Sequence, residues 1–141
     1  MPAKNVYHDA VVEALVADGW TITADPLSAV VGPRRLHVDL GAERAALAAE
    51  RAGERIAVEV QSFVGRSDVE SLHLAVGQFA VYRAVLDRLD PGRVLYLAVP
   101  DDAYTRVFDD ELGRLVVQAV GVKLLVHRVG ETGGGGLRWI G

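Results

Sequence analysis

Asp39, Glu59 and Gln61 are the residues whose types and spacing could do chemistry together. Glu59 and Gln61 stand two positions apart in IAVEVQSFVGRSD, a run rich in apolar and β-branched residues. On a strand, both side chains therefore point to one face. Asp39 ends the preceding apolar stretch, LHVDL. If LHVDL and IAVEVQ pair side by side in a meander, the two carboxylates meet at one end of a sheet. Carboxylates held close repel each other unless a cation shares them, and hard oxygen ligands suit Mg²⁺ or Mn²⁺. Such an ion polarises a phosphodiester and lowers the pKa of a bound water. The spacing is also met by a plainer arrangement, with Asp39 capping a strand end and Glu59 solvated or salt-bridged. His37 alternates with Asp39 on the same strand face, which makes it either a contact for substrate or water or a packed, hydrogen-bonded strand histidine.

Composition narrows the chemistry. The absence of cysteine excludes disulfides, thiolate zinc sites and a thiol nucleophile, so any metal must be held by oxygen or imidazole. A net charge of −4 argues against strong non-specific binding to nucleic acid, which needs clustered Lys and Arg, while leaving room for a local basic groove. Lys4 and Lys123 are the only lysines, so a catalytic lysine has few sources. At 141 residues, half of them hydrophobic and a quarter charged, the chain is expected to form one folded domain, residues 1–141. No apolar run approaches the ~20 residues of a membrane span, and MPAKNVYHDA lacks a signal-peptide core. A cytoplasmic protein with no membrane partner is expected.

The elements that must position these residues follow from periodicity. Residues 5–18 carry apolar side chains at helical spacing, with Asn5 as N-cap and Gly19 as stop. Residues 20–40 read as two or three strands with tight connections broken at Asp25-Pro26, and Trp20 reads as a core anchor rather than a platform for stacking bases. Residues 42–52 are a helical turn or connector, and 55–63 form the most convincing strand. Residues 67–90 begin with a capping box, Ser67 to Glu70, and carry an apolar stripe from Leu72 to Leu89: a long helix. RVLYLAVP at 93–100 is apolar throughout, as in a strand buried on both faces. A helix over 102–120, kinked at Gly113, strands at 122–129 and 137–140, and a flexible turn at the glycine run 133–136 complete the chain. The order implies an α/β sandwich whose mixed sheet is antiparallel at the front and parallel behind.

Taken together, Asp39 and Glu59 with a polar residue at position 61 resemble the D…(D/E)-x-K signature of PD-(D/E)XK nucleases. GQFAVY sets Gln78 and Tyr82 four apart on one helical face, similar to the Q-x-x-x-Y helix of RecB-like members. More specifically, MPAKNVYHDAV, DGWTITADPL, VDLGAER, IAVEVQSF, VGQFAVYR and RVLYLAVP together resemble the XisH family, the fdxN-element excision controlling factors, over residues 1–128. The resemblance implies a restriction-endonuclease-like α/β/α sandwich around a central mixed sheet, a role in controlling excision of a DNA element, and a companion protein of the XisI type. It makes Asp39 and Glu59 the metal-binding carboxylates and Gln78 and Tyr82 the helix pair beside them. Gln61 departs from the pattern IAVE-x-KSF, in which that position is lysine. Lys4 and Arg66 are the cations near in sequence that could replace the missing charge, and Lys4 is also read as a solvated terminus. His8, one turn beyond Lys4, and the acids Asp9 and Glu13 lie on the first helix, from which many nucleases of this superfamily add a metal-site acid. An exposed helical face is the alternative. DNA is a partner under this reading, and a homo-oligomer is compatible with it.

Overall fold

Neighbouring residues on the central strands face opposite ways, and two separate cores form as a result, one on each face of a six-stranded sheet. The computed structural model describes residues 3–44, 53–65, 67–128 and 136–141, with the backbone alone at positions 3–5. Helix α1 (Ala3–Ala17) is closed by Gly19, whose φ of 93° is open to a residue without Cβ. Strand β1 (Thr21–Ala24) precedes a hairpin of β2 (Leu27–Val31) and β3 (Arg34–Val38), after which come β4 (Leu40–Arg44) and β5 (Glu54–Val60). The second half is α2 (Asp68–Leu89), β6 (Arg93–Pro100), a short α3 (Asp101–Ala103) running into a π-helical turn (Tyr104–Phe108), α4 (Glu111–Val120), β7 (Leu124–His127) and β8 (Arg138–Ile140).

The sheet order is β1-β4-β5-β6-β7-β8. Its front, β1, β4 and β5, is antiparallel; β5, β6 and β7 run parallel; β8 returns antiparallel. The expected mixed sheet is therefore present. Val11 and Leu15 of α1 pack with Trp20 on Leu40, Val58, Ala98 and Leu125. On the other face, Leu72, Ala75 and Phe79 of α2, with Val107 and Phe108, cover Ala57, Leu97, Val99 and Leu124. Covering both faces is why β5 and β6 read as near-continuous apolar runs. Trp20 is a core anchor as expected, stacked near Trp139 at 5.8 Å. Ser67 caps α2, its Oγ accepting from the Glu70 amide at 3.2 Å. Among the described residues no helix is long and apolar enough to cross a membrane.

Several local expectations are corrected. Helix α1 starts at Ala3, which puts Asn5 inside it rather than at its cap. Three strands lie between residues 20 and 38, within the two or three expected, but LHVDL is not one strand. β3 ends at Val38 in the hairpin, and β4 starts at Leu40 in the main sheet. Asp39 is the bend between them, drawn out of the β3 ladder by bonds to β5. The helical break falls at Asp109 and Asp110 rather than at Gly113. Asp110 caps α4 by accepting from the Gly113 amide at 2.7 Å, and Gly113 is needed for close approach: a Cβ there would lie 2.3 Å from the Val107 carbonyl oxygen. Leu89, expected in the buried stripe, is 48% exposed because α2 ends there beyond the sheet's cover. Strand β7 is shorter than 122–129. Residues 42–44 belong to β4, while 45–52, Arg66, Val129 and the glycines at 133–135 lie outside the described residues.

Candidate functional site

Antiparallel pairing of β4 with β5 sets Leu40 opposite Val58, so the bend at Asp39 lies beside the last residues of β5. The Asp39 amide donates to Glu59 Oε1 at 3.2 Å, and the Val60 amide donates to Asp39 Oδ2 at 2.9 Å. Each carboxylate thus bonds backbone of the other's segment. Glu59 is only 6% exposed, and a buried carboxylate is tolerable only when such bonds replace its water. The two acids lie close, but through the bend at Asp39 rather than through LHVDL pairing as one strand with IAVEVQ.

From the α2 side, Gln78 accepts a hydrogen bond from Gln61 Nε2, while the Gln61 amide continues the parallel ladder to Ala98 O at 2.9 Å. One turn further along α2, the Tyr82 phenol is held above its ordinary pKa, first by burial and then by the negative charges of Glu59 and Asp39. Tyr7 of α1, Glu59, Gln61, Ser62 and Gln78 line a cleft of about 190 Å³. It opens at the carboxyl end of β5, where open α/β sheets commonly bind ligands. Just beyond, Phe63 adopts φ 57°, a left-handed conformation unfavourable for a residue with a Cβ by about 1–2 kcal/mol. Burial, an edge-on contact with Phe108 at 5.4 Å, and a bond from Arg106 Nη2 to its carbonyl at 2.8 Å hold it there and fix the loop that follows Gln61.

Other candidates lie apart from the cleft. His8 bonds Asp25 through Nε2 at 3.0 Å, Glu13 is exposed on α1, as is Asp9, and His37 is exposed on the hairpin with Nδ1 bonded to Ser28 Oγ at 2.9 Å. None of them lines the cleft, and neither do Asp39 and Tyr82. Lys4 belongs to the first turn of α1, and its side chain lies outside the described residues. Sequence reasoning missed Tyr7, one residue before His8, because spacing does not say which side of α1 faces the end of the sheet.

Comparison with known proteins places the whole chain in a family. Residues 1–132 match the XisH protein family. The chain belongs to the XisH family. It superposes on the crystal structure of an XisH family protein from Nostoc punctiforme PCC 73102 with a TM-score of 0.85 and 40% identity, covering 96% of this chain and 99% of that one. It is similar too to a fdxN element excision controlling factor protein from Anabaena variabilis, with a TM-score of 0.82, 40% identity and coverage of 97% and 99%. No curated protein matches the chain.

The donor set of this XisH chain suits a hard cation. Mg²⁺ is commonly held by one or two carboxylates, its remaining positions filled by water and substrate phosphate, and Asp39 with Glu59 supply that number. The Tyr82 phenol, raised first by burial and only then by the charges of Glu59 and Asp39, lies within the field of both acids. Among the described residues no group of three or more His, Asp or Glu is placed to hold a metal ion.

Proposed function

We propose that this XisH chain, one domain in a cytoplasmic setting, controls excision of a DNA element through a PD-(D/E)XK-like centre that cuts DNA slowly. The observation that carries the reading is the Asp39–Glu59 pair, cross-bonded through backbone amides with Gln61 two residues on. Asp39 and Glu59 would hold Mg²⁺ or Mn²⁺, which when bound polarises a phosphodiester and acidifies water. Gln61, oriented by Gln78, holds a water by its amide but brings no charge. A lysine there would also offset charge growing on the phosphate, a contribution commonly worth roughly 3–4 kcal/mol. Tyr82 stays a protonated phenol beside the acids.

A second reading is a non-catalytic regulatory subunit, with a XisI-type companion presenting the basic surface to DNA. The net charge of −4 and the bond from Gln61 to Gln78 favour it.

Plasmid nicking in Mn²⁺ separates the two. Slow cutting by the wild type, gained rate in Gln61→Lys and its loss in Gln61→Lys/Glu59→Ala support the nuclease reading. Absence of Mn²⁺ binding together with an inert Gln61→Lys overturns it. DNA binding that appears only with the companion, and weakens with salt, then supports the regulatory subunit.

A further inference from the structure

Leu74 is 60% exposed on α2, one turn before Gln78, and it lines the cleft that holds Glu59 and Gln61. A single exposed leucine is ordinary, but this one shares its cleft with the half-buried ring of Tyr7. The two come from opposite sides of the sheet. Tyr7 belongs to α1 and packs on the core of one face, whereas α2 covers the other face, so the cleft spans the carboxyl end of β5 with an apolar side chain from each helix. Ser62 and the Gln61 and Gln78 amides, with Glu59, supply the polar remainder of its wall.

What such a cleft can hold follows from that wall. Among the described residues that line it there is no lysine or arginine, so nothing there offsets the charge of a phosphate. A nucleobase needs no such cation, because its faces pack on aromatic and aliphatic side chains and its edge takes amide and hydroxyl hydrogen bonds. The bond from Gln61 to Gln78 uses one donor and one acceptor of the pair, which leaves the Gln78 amide protons and Gln61 Oε1 for a base edge. The volume of about 190 Å³ equals about six waters at ~30 Å³ each, room for one ring system and not for a duplex. Leu74, Gln78 and Tyr82 recur every four residues on one face of α2, about 6 Å apart. Tyr82 lies in the field of Asp39 and Glu59, so from the acids to Leu74 is a span of only a few nucleotides at ~3.4 Å each. We propose that this cleft receives an unpaired nucleobase, packed against Tyr7 and Leu74, and that the DNA on which the chain acts is therefore single-stranded or locally unstacked. A base inside a duplex is stacked on its neighbours and cannot enter. Duplex is engaged only where a strand is transiently open. The inference rests on the DNA-cutting reading for where the scissile phosphate lies, but base binding is measurable without cutting.

Fluorescence anisotropy of three labelled ligands of equal length tests it: a thymidine strand, a strand of abasic sites with the same phosphates, and a blunt duplex, each titrated with the full chain with and without Mn²⁺. Stacking of a base is commonly worth about fivefold or more in affinity, so the thymidine strand is expected to bind at least that much tighter than the other two. Leu74→Ser and Tyr7→Leu should each remove most of that advantage and leave the abasic strand unaffected, while Tyr7→Phe keeps it. Leu74 is exposed, so Leu74→Ser leaves the fold intact even where Tyr7→Leu does not. No saturable binding of the thymidine strand, equal binding of the abasic strand or the duplex, or an affinity unmoved by Leu74→Ser overturns the proposal. Base-dependent binding without nicking in Mn²⁺ removes the nuclease reading and keeps the base site, and nicking without base-dependent binding does the reverse.

Discussion

Asp39 and Glu59 fasten each other's segments: the Asp39 amide donates to Glu59 Oε1, and the Asp39 carboxylate accepts from the amide that follows Glu59. The same pair therefore serves structure and, under the proposed function, metal binding. Glutamine separates the two roles, since it keeps an oxygen for the Asp39 amide but not the charge. Glu59→Gln is expected to keep near wild-type stability in urea, whereas Glu59→Ala takes this acceptor away and costs about 1–3 kcal/mol. Both should lose Mn²⁺ binding by calorimetry. Equal stability of the two variants would show that the cross-strand bond contributes nothing.

Gln61 occupies the position at which the resemblance implies a lysine, and its carbonyl-bonded amide places position 61 securely on the β5 ladder. A longer cationic side chain can still donate to Gln78 Oε1, which accepts from Gln61 Nε2. Restoring one charged donor is commonly worth 10²- to 10³-fold in rate. Gln61→Lys is therefore expected to raise plasmid nicking by about that factor, with the increase abolished by adding Glu59→Gln. A rate within a few-fold of wild type would rule out the missing charge as the bottleneck.

The Tyr82 phenol offers a readout of the site that does not need turnover. Burial raises its pKa first, and the charges of Glu59 and Asp39 raise it further. A divalent cation between those acids offsets their charge, so phenolate absorbance attributable to Tyr82, by difference from Tyr82→Phe, should appear at lower pH with Mn²⁺ than without. The shift should vanish in Glu59→Gln. A titration curve indifferent to Mn²⁺ in the wild type would exclude an ion next to the phenol.

Much of this was legible in the sequence, and what was not has a common physical cause. The strands β5 and β6, the cap and length of α2, and the meeting of Asp39 with Glu59 follow from local periodicity and from pairing of successive strands. The bend at Asp39 was hidden because its cause is two bonds to a strand some twenty residues away. Gly113 looked like a kink because its role depends on the backbone of Phe108, brought close by the π-helical turn. His127 lies in the stretch 122–129 that reads as a strand, and its burial is not a property of the neighbouring sequence.

Gly113 gives a test of that close approach. An added Cβ would sit 2.3 Å from Val107 O and 2.5 Å from Phe108 Cα, and both neighbours are backbone that cannot rotate away. Helix propensity alone would favour alanine by about 1 kcal/mol. Overpacking of this kind typically costs 1–3 kcal/mol or more, so Gly113→Ala is expected to lower stability despite the better helix former. Urea denaturation decides the sign. A more stable variant would mean that the π-helical turn and α4 are free to separate.

Acid sensitivity should trace largely to His127. Its folded pKa is lowered to about 4 from 6.5, so between those values the unfolded chain binds a proton that the folded chain refuses. Stability contributed by the neutral ring is complete above about pH 7 and is lost as pH falls from 6.5 towards 4, by about 3 kcal/mol in total. His127→Leu removes the titration and also replaces two orphaned polar atoms by an apolar group, an exchange that is near neutral or stabilising at pH 7.5. Urea midpoints at pH 7.5 and 5 should therefore differ more for the wild type than for His127→Leu. An unchanged pH dependence in His127→Leu would assign the acid sensitivity to other groups.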